Sequence, residues 1–284
     1  MSSNIKTVGV IGAGTMGNGI AQVSALAGFN VTMLDVSPVA LERGLATIST
    51  SLDRLVRKEK LTETAKADTL GRIRTTGNSA DFKQADLVIE AATENEGLKI
   101  KILQDISAMV ASDAILASNT SSISITRLAA VTQHPGQFIG MHFFNPVPVM
   151  ALVELIRGLQ TSDQTHTRAG LFIREIDKVS ISVKNSPGFG VNRILCPMIN
   201  EAVFALQEGL ATAQEIDEGM RLGCNHPIGP LALADLVGLD TVLAVMQVFY
   251  DGFADSKYRP APLLKEMVAA GYLGRKTGRG FYSY

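Results

Sequence analysis

Two ionisable residues stand in surroundings that are otherwise apolar. His142 follows Phe138-Ile139-Gly140-Met141 and precedes Phe143-Phe144-Asn145-Pro146. Glu154 interrupts the run Ala151-Leu152-Val153 and Leu155-Ile156. A carboxylate buried without a partner is costly, so Glu154 needs a cation or a donor. An imidazole supplies one. An acid on one ring nitrogen fixes the tautomer, and the other nitrogen can then exchange protons with a substrate. Each residue also has a plainer use, His142 as a packed histidine and Glu154 as an acid facing water from an edge strand. Read together, they point to general acid–base chemistry.

Further polar residues follow apolar runs of strand character: Glu94 and Asn95, then Ser118, Asn119 and Ser121, then Asn145. Ser121 offers a hydroxyl to a substrate oxygen, or else caps a helix over residues 123–130. Asn192 lies further along, where it would have to reach back from a second domain.

The elements that must position these residues alternate in type. The runs at residues 7–11, 30–34, 86–91, 114–117, 138–143, 151–156 and 179–183 read as strands. Stretches at residues 18–28, 38–60, 63–73 and 99–110 read as helices. This alternation predicts an α/β fold, a doubly wound and mostly parallel sheet of Rossmann type. After Asn185-Ser186-Pro187-Gly188 the pattern is helical throughout, which predicts a smaller all-α domain. The expected domains are residues 1–184 and 185–284, with Pro187-Gly188 as a hinge. Met198, Met220, Met246 and Met267 fall on the later helices, where they serve either an internal core or a face for a second copy.

In open parallel sheets, ligands gather beyond the carboxyl ends of the strands. The first strand runs into Gly12-Ala13-Gly14-Thr15-Met16-Gly17, a G-x-G-x-x-G turn before a helix. The glycines allow a tight turn, close approach to a pyrophosphate, and close packing of helix on sheet. The helix start offers free N–H groups and a positive dipole end. Gly12, Gly14, Thr15, Met16 and Gly17 are therefore assigned to a dinucleotide. Asp35 closes the second strand. A carboxylate there accepts ribose hydroxyls and repels a 2′-phosphate, which favours NAD over NADP.

The chain has 284 residues, is 46% hydrophobic and has a formal net charge of −1. That is enough for two ordinary cores and gives no global field for nucleic acid or an anionic membrane. Two cysteines, Cys196 and Cys224, exclude a disulfide framework and suit a reducing compartment. Cys224 and His226 lack a second ligand pair, so no metal site is expected. No apolar run has membrane-spanning length. A cytoplasmic location is expected.

Several motifs occur in one order. They are the glycine turn, Ser118-Asn119-Thr120-Ser121, Met141-His142-Phe143-Phe144-Asn145-Pro146, Glu154, and Ser186-Pro187-Gly188-Phe189-Gly190-Val191-Asn192-Arg193. His226-Pro227-Ile228-Gly229-Pro230 and the tail Gly274-Arg275-Lys276-Thr277-Gly278-Arg279-Gly280 complete the set. This set resembles the 3-hydroxyacyl-CoA dehydrogenase family over essentially the whole chain. The resemblance implies an NAD(P)-dependent, S-specific dehydrogenase with a dimerising C-terminal domain, so a homodimer and an acyl-CoA substrate are expected. By position, His142 is the acid/base and Glu154 orients it. Ser121 and Asn192 contact substrate oxygens. Glu94, Lys99 and Asn119 contact the cofactor, and Asn145 joins the same cluster. Short acyl chains such as 3-hydroxybutyryl-CoA are expected, with 3-hydroxyadipyl-CoA as the alternative.

One position departs from the family pattern: Gly190 replaces a bulky aliphatic, with an expected cost of about 1 kcal/mol at the helix start. Arg54, Arg57, Lys58 and Lys60 form either a docking patch for the anionic CoA end or a solvated helix terminus. Two rival readings are a dehydrogenase of small β-hydroxyacids with a catalytic lysine, and an NAD-binding scaffold without turnover. The His–Glu pair argues against both.

Overall fold

In this computed structural model, residues 2–284 are described, and the chain divides into two compact units, residues 1–185 and 186–284. The first unit contains β1 (Thr7–Ile11), α1 (Thr15–Leu26), β2 (Asn30–Leu34), α2 (Pro38–Arg57), α3 (Glu63–Gly71) and β3 (Ile73–Thr76). It continues with β4 (Leu87–Glu90), α4 (Glu96–Ser107), β5 (Ile115–Ser118), α5 (Ile125–Ala130) and β6 (Phe138–Phe143). Then come β7 (Leu152–Arg157), α6 (Asp163–Glu175) and β8 (Val179–Lys184).

The strands form one sheet in the order β3-β2-β1-β4-β5-β6-β7-β8. The order reverses between β1 and β4, which makes the crevice of a doubly wound sheet. Every described strand pair is parallel except β6 with β7, so the expected mostly parallel sheet is observed. The central strands are apolar because both faces are covered: all residues of β4, β5 and β6 are buried, whereas the edge strands β3 and β8 are more polar and more exposed. The main core joins Val10, Ile20, Met33, Ile89, Ile139 and Phe172.

The helices follow local rules. Ser37 caps α2 by accepting the Ala40 N–H, and Pro38 supplies a preformed first-turn φ. Leu41, Ile48 and Leu52 then recur at helical spacing on its buried side. Three sequence expectations shift. The helix at residues 63–73 ends at Gly71, because Ile73 begins β3, a short strand the pattern hides behind polar Arg74, Thr75 and Thr76. The helix at residues 38–60 stops at Arg57, and Glu59 turns the chain with φ 55°. Ser121 does not cap α5. Ser124 does, by accepting the Arg127 N–H.

The second unit is helical, as expected: α7 (Val191–Gln207), α8 (Ala213–Cys224), α9 (Pro230–Val237), α10 (Leu239–Phe253) and α11 (Pro262–Ala269). Ile199, Val203, Leu231, Leu239 and Leu264 make its core. Two buried acids pin the C-terminal tail. Asp235 accepts the N–H groups of Phe281 and Tyr282, and Asp217 accepts the Tyr282 hydroxyl. Among the described residues no single helix is long and apolar enough to cross a membrane.

Candidate active site

At the start of the site, Gly12 has φ 99°, and a Cβ there would lie 2.7 Å from the Ala91 carbonyl oxygen. A Cβ on Gly17 would run into the Gly12 carbonyl. Gly14 has nothing within 4 Å of its would-be Cβ, so its face of the turn is open. Gly14 also caps α1 without a side chain, and the first turn holds no acid. The result is an open cradle of helix-terminal N–H groups that suits a diphosphate.

Asp35 has a more structural part than the sequence suggests. One carboxylate oxygen accepts the Ala13 N–H at 2.9 Å, and the other accepts the Ser37 N–H at 2.9 Å. It therefore braces the glycine turn against the start of α2, with lone pairs remaining for ribose hydroxyls. A cavity of about 470 Å³ runs past Gly12, Gly14 and Asp35, with Val36, Leu98 and Ile102 as apolar walls. Polar cradle, acid and apolar slot together fit a dinucleotide with an adenine at one end.

Past the crevice, Lys99 is 1% exposed. Its ammonium lies 2.7 Å from Glu90 and 3.4 Å from Glu94, and donates to the Ala92 carbonyl at 3.1 Å. Glu90, absent from the sequence candidates, is the hub. It is fully buried and accepts from Lys99, from the Ala92 N–H at 2.7 Å and from the Ser118 hydroxyl at 2.6 Å. The signal was present, since Glu90 is an acid closing the apolar run Leu87-Val88-Ile89, the same pattern that singles out Glu154.

Glu94 accepts from the Thr120 hydroxyl, from the Ser121 N–H at 3.0 Å and from the Ser122 hydroxyl at 2.9 Å. Burial pushes its carboxyl up, but the Thr120 hydroxyl, the Lys99 charge and the Ser122 and Ser121 donors outweigh burial. They hold it below the usual glutamate range. The Ser121 hydroxyl lies 3.4 Å from the same carboxylate. Asn119 uses its carboxamide oxygen to accept the Phe143 N–H at 2.9 Å, which ties the end of β5 to the end of β6.

His142 is the fifth residue of β6. The chain turns back after Phe143, so the start of β7 lies beside the carboxyl end of β6, and the ladder pairs His142 directly with Glu154. Nδ1 of His142 lies 2.7 Å from a Glu154 carboxylate oxygen, with side chains 8% and 0% exposed. An ionised carboxylate only accepts, so Nδ1 carries the proton and Nε2 is the basic nitrogen. The Phe144 ring tilts against the imidazole at 4.7 Å between centroids. Glu154 does not face water, since it is fully buried, and β7 is not an edge strand, since β8 pairs along its other side. The edge-strand alternative is thereby overturned.

Asn145 is exposed on the loop between β6 and β7. Asn192 is the second residue of α7, in the other unit. Beside it, the Arg193 guanidinium packs on the rings of Phe253 and Tyr258 at 4.2 and 4.5 Å, which anchors the helix start. Gly190 takes the N-cap place with φ −98°, a conformation any residue adopts. Glycine as an N-cap costs only about a few tenths of a kcal/mol, less than the sequence suggests. Arg54, Arg57, Lys58 and Lys60 are exposed at and beyond the end of α2.

Two family models match the chain. One, described as 3-hydroxyacyl-CoA dehydrogenase, NAD binding domain, matches residues 7–186. The other, 3-hydroxyacyl-CoA dehydrogenase, C-terminal domain, matches residues 188–284. A 3-hydroxybutyryl-CoA dehydrogenase of Bradyrhizobium diazoefficiens is 55% identical over 284 residues, covering 100% of this chain and 97% of that protein. One of Clostridioides difficile is 49% identical, covering 97% of this chain and 98% of its own length. A crystal structure of (S)-3-hydroxybutyryl-CoA dehydrogenase from Ralstonia eutropha superposes with a TM-score of 0.97 at 66% identity, covering 99% of each chain.

Proposed function

This chain belongs to the 3-hydroxyacyl-CoA dehydrogenase family, and on that premise we propose how its residues divide the work of a reversible NAD-dependent oxidation of (S)-3-hydroxybutyryl-CoA to acetoacetyl-CoA. The observation that supports this reading best is the buried pair of His142 Nδ1 and Glu154, 2.7 Å apart at the carboxyl end of a sheet with a dinucleotide cradle.

When bound, NAD⁺ supplies the acceptor for the hydride that leaves C3. The chain supplies the rest. Nε2 of His142 takes the proton of the C3 hydroxyl as the C3–H bond breaks, and in reduction it returns that proton to the carbonyl oxygen. Glu154 holds Nδ1–H throughout, so the ring keeps one tautomer and one orientation. Ser121 and Asn192 donate to substrate oxygens. The glycine turn and Asp35 bind the adenosine half, and Glu94, Lys99, Asn119 and Asn145 frame the nicotinamide half. Alignment, a proton acceptor and exclusion of water are the protein's share of the rate.

The exposed cations Arg54, Arg57, Lys58 and Lys60 are assigned to the anionic CoA end of the substrate. Residues 185–284 are assigned to dimer contacts as well as to Asn192. A cytoplasmic location belongs to the same proposal, supported by the free thiols of Cys196 and Cys224, which suit a reducing compartment.

The test is the initial rate of acetoacetyl-CoA reduction, followed by cofactor absorbance, with NADH and NADPH in parallel. Fast NADH oxidation with little use of NADPH is expected. Binding of NADH without turnover of this or a longer acyl-CoA would sink the reading.

A further inference from the structure

Lys178 is a buried cation that the chemistry above does not use. It lies between α6 and β8, is 8% exposed, and its own N–H donates to the Ile173 carbonyl at 3.0 Å. Its ammonium donates to the Val147 and Met150 carbonyls, each at 2.7 Å. Both acceptors are neutral. Burial pushes this ammonium below the ordinary lysine range, with the neighbouring Asp177 opposing. A charge kept inside the protein with two neutral carbonyls as its hydrogen-bond acceptors has a cost, so its position calls for an account.

The two carbonyls belong to residues 144–151, the loop that joins the His142 strand to the Glu154 strand. Within it, the Val149 and Met150 N–H groups donate to the Pro146 carbonyl at 2.9 and 3.0 Å. The loop's last carbonyl, of Ala151, accepts the Val179 N–H at 2.8 Å. On its other side the loop meets α1: a Cβ on Gly19 would lie 2.8 Å from the Val147 Cβ. Val147 is therefore fixed between the Lys178 ammonium and the helix that begins at the glycine turn. Asn145 stands two residues before it.

We propose that Lys178 is a positioning residue, whose ammonium sets the conformation of residues 144–150 and thereby places Asn145 at the site. This rests on the dehydrogenase reading above. The acid–base pair does not depend on this clamp, because the β6–β7 register aligns His142 with Glu154. The clamp acts on the polar neighbour that the ladder does not reach.

A double-mutant cycle tests it. Lys178→Met keeps the aliphatic stem and removes the donors. Its kcat/KM for acetoacetyl-CoA with NADH is expected to fall about tenfold in the wild-type background and less than about twofold in Asn145→Ala. Equal losses in both backgrounds, or no loss, would overturn the proposal. Should Lys178→Met fail to fold, Lys178→Gln, whose amide nitrogen sits one bond short of the lysine ammonium and so cannot hold both carbonyls as it does, runs through the same cycle under the same criteria. Hydrogen exchange at the Val149 and Met150 amides gives a readout independent of turnover. Protection there is expected to drop about tenfold in Lys178→Met while β6 and β7 stay protected. Unchanged exchange would overturn the proposal, whereas a wild type that does not reduce acetoacetyl-CoA would overturn the underlying reading and leave the exchange result to decide Lys178.

Discussion

Glu154 stands directly across the β6–β7 ladder from His142, so the backbone itself delivers a carboxylate to the imidazole. They are twelve positions apart in the chain, and the turn between them reverses direction at the one described place where the sheet is antiparallel. A parallel neighbour could not bring the start of the next strand beside the end of the last.

His142→Ala is expected to lower kcat for acetoacetyl-CoA reduction by about 10²–10⁴-fold, the usual share of general acid–base assistance. NADH should still bind, since the glycine turn and Asp35 are untouched. Steady-state rates together with NADH fluorescence titration check this, and near-normal turnover would refute the role of His142.

Glu154→Gln should act through the orientation of the ring and not through affinity. A carboxamide can accept from Nδ1–H, but it offers a neutral partner where a charge stood. The expectation is a loss in kcat of about tenfold or more with acyl-CoA KM nearly unchanged. A variant with normal kcat and a raised KM would count against this.

Lys99→Met should destabilise the first unit, because it leaves the Glu90 carboxylate buried without its cation. Removing one member of such a pair costs about 3–5 kcal/mol, while removing both costs less. Urea unfolding of Lys99→Met and of the double variant Glu90→Met, Lys99→Met is expected to show partial recovery in the double. Equal destabilisation by both would argue that the pair is not the source.

Glu94 carries a pH signature. Its folded carboxyl is held below the usual glutamate range, so its contribution to stability is complete above the unfolded value and is lost as pH falls through the folded one. The difference in unfolding free energy between wild type and Glu94→Gln should be flat above about pH 5 and close only below about pH 4. A difference that grows on acidification would contradict the assigned donors.

Much of this was legible in the sequence because it is local. The glycine turn, Asp35 and the strand runs are periodic or compositional signals, and His142 and Glu154 advertise themselves as charges in apolar strands. What escaped depends on groups that converge only in three dimensions. Glu90 is visible as an acid closing an apolar run, but its role as a hub is not, because beside the local Ala92 N–H its donors come from Lys99 on α4 and Ser118 on β5. Lys178 looks like an ordinary lysine after a helix until Val147 and Met150 turn their carbonyls toward it. β3 was hidden by its polar residues, and Ser121 drew the capping role that belongs to Ser124, three residues on.

The antiparallel junction separates two kinds of change. Along an antiparallel ladder side chains alternate in facing, so a slip of one residue within β7 would turn Glu154 away from His142 and leave a different residue opposite it. A change of length confined to residues 144–151 leaves the ladder in register. Recognition groups carried on that loop can therefore diverge, in nature or by engineering, while the proton-transfer pair stays where the strands put it.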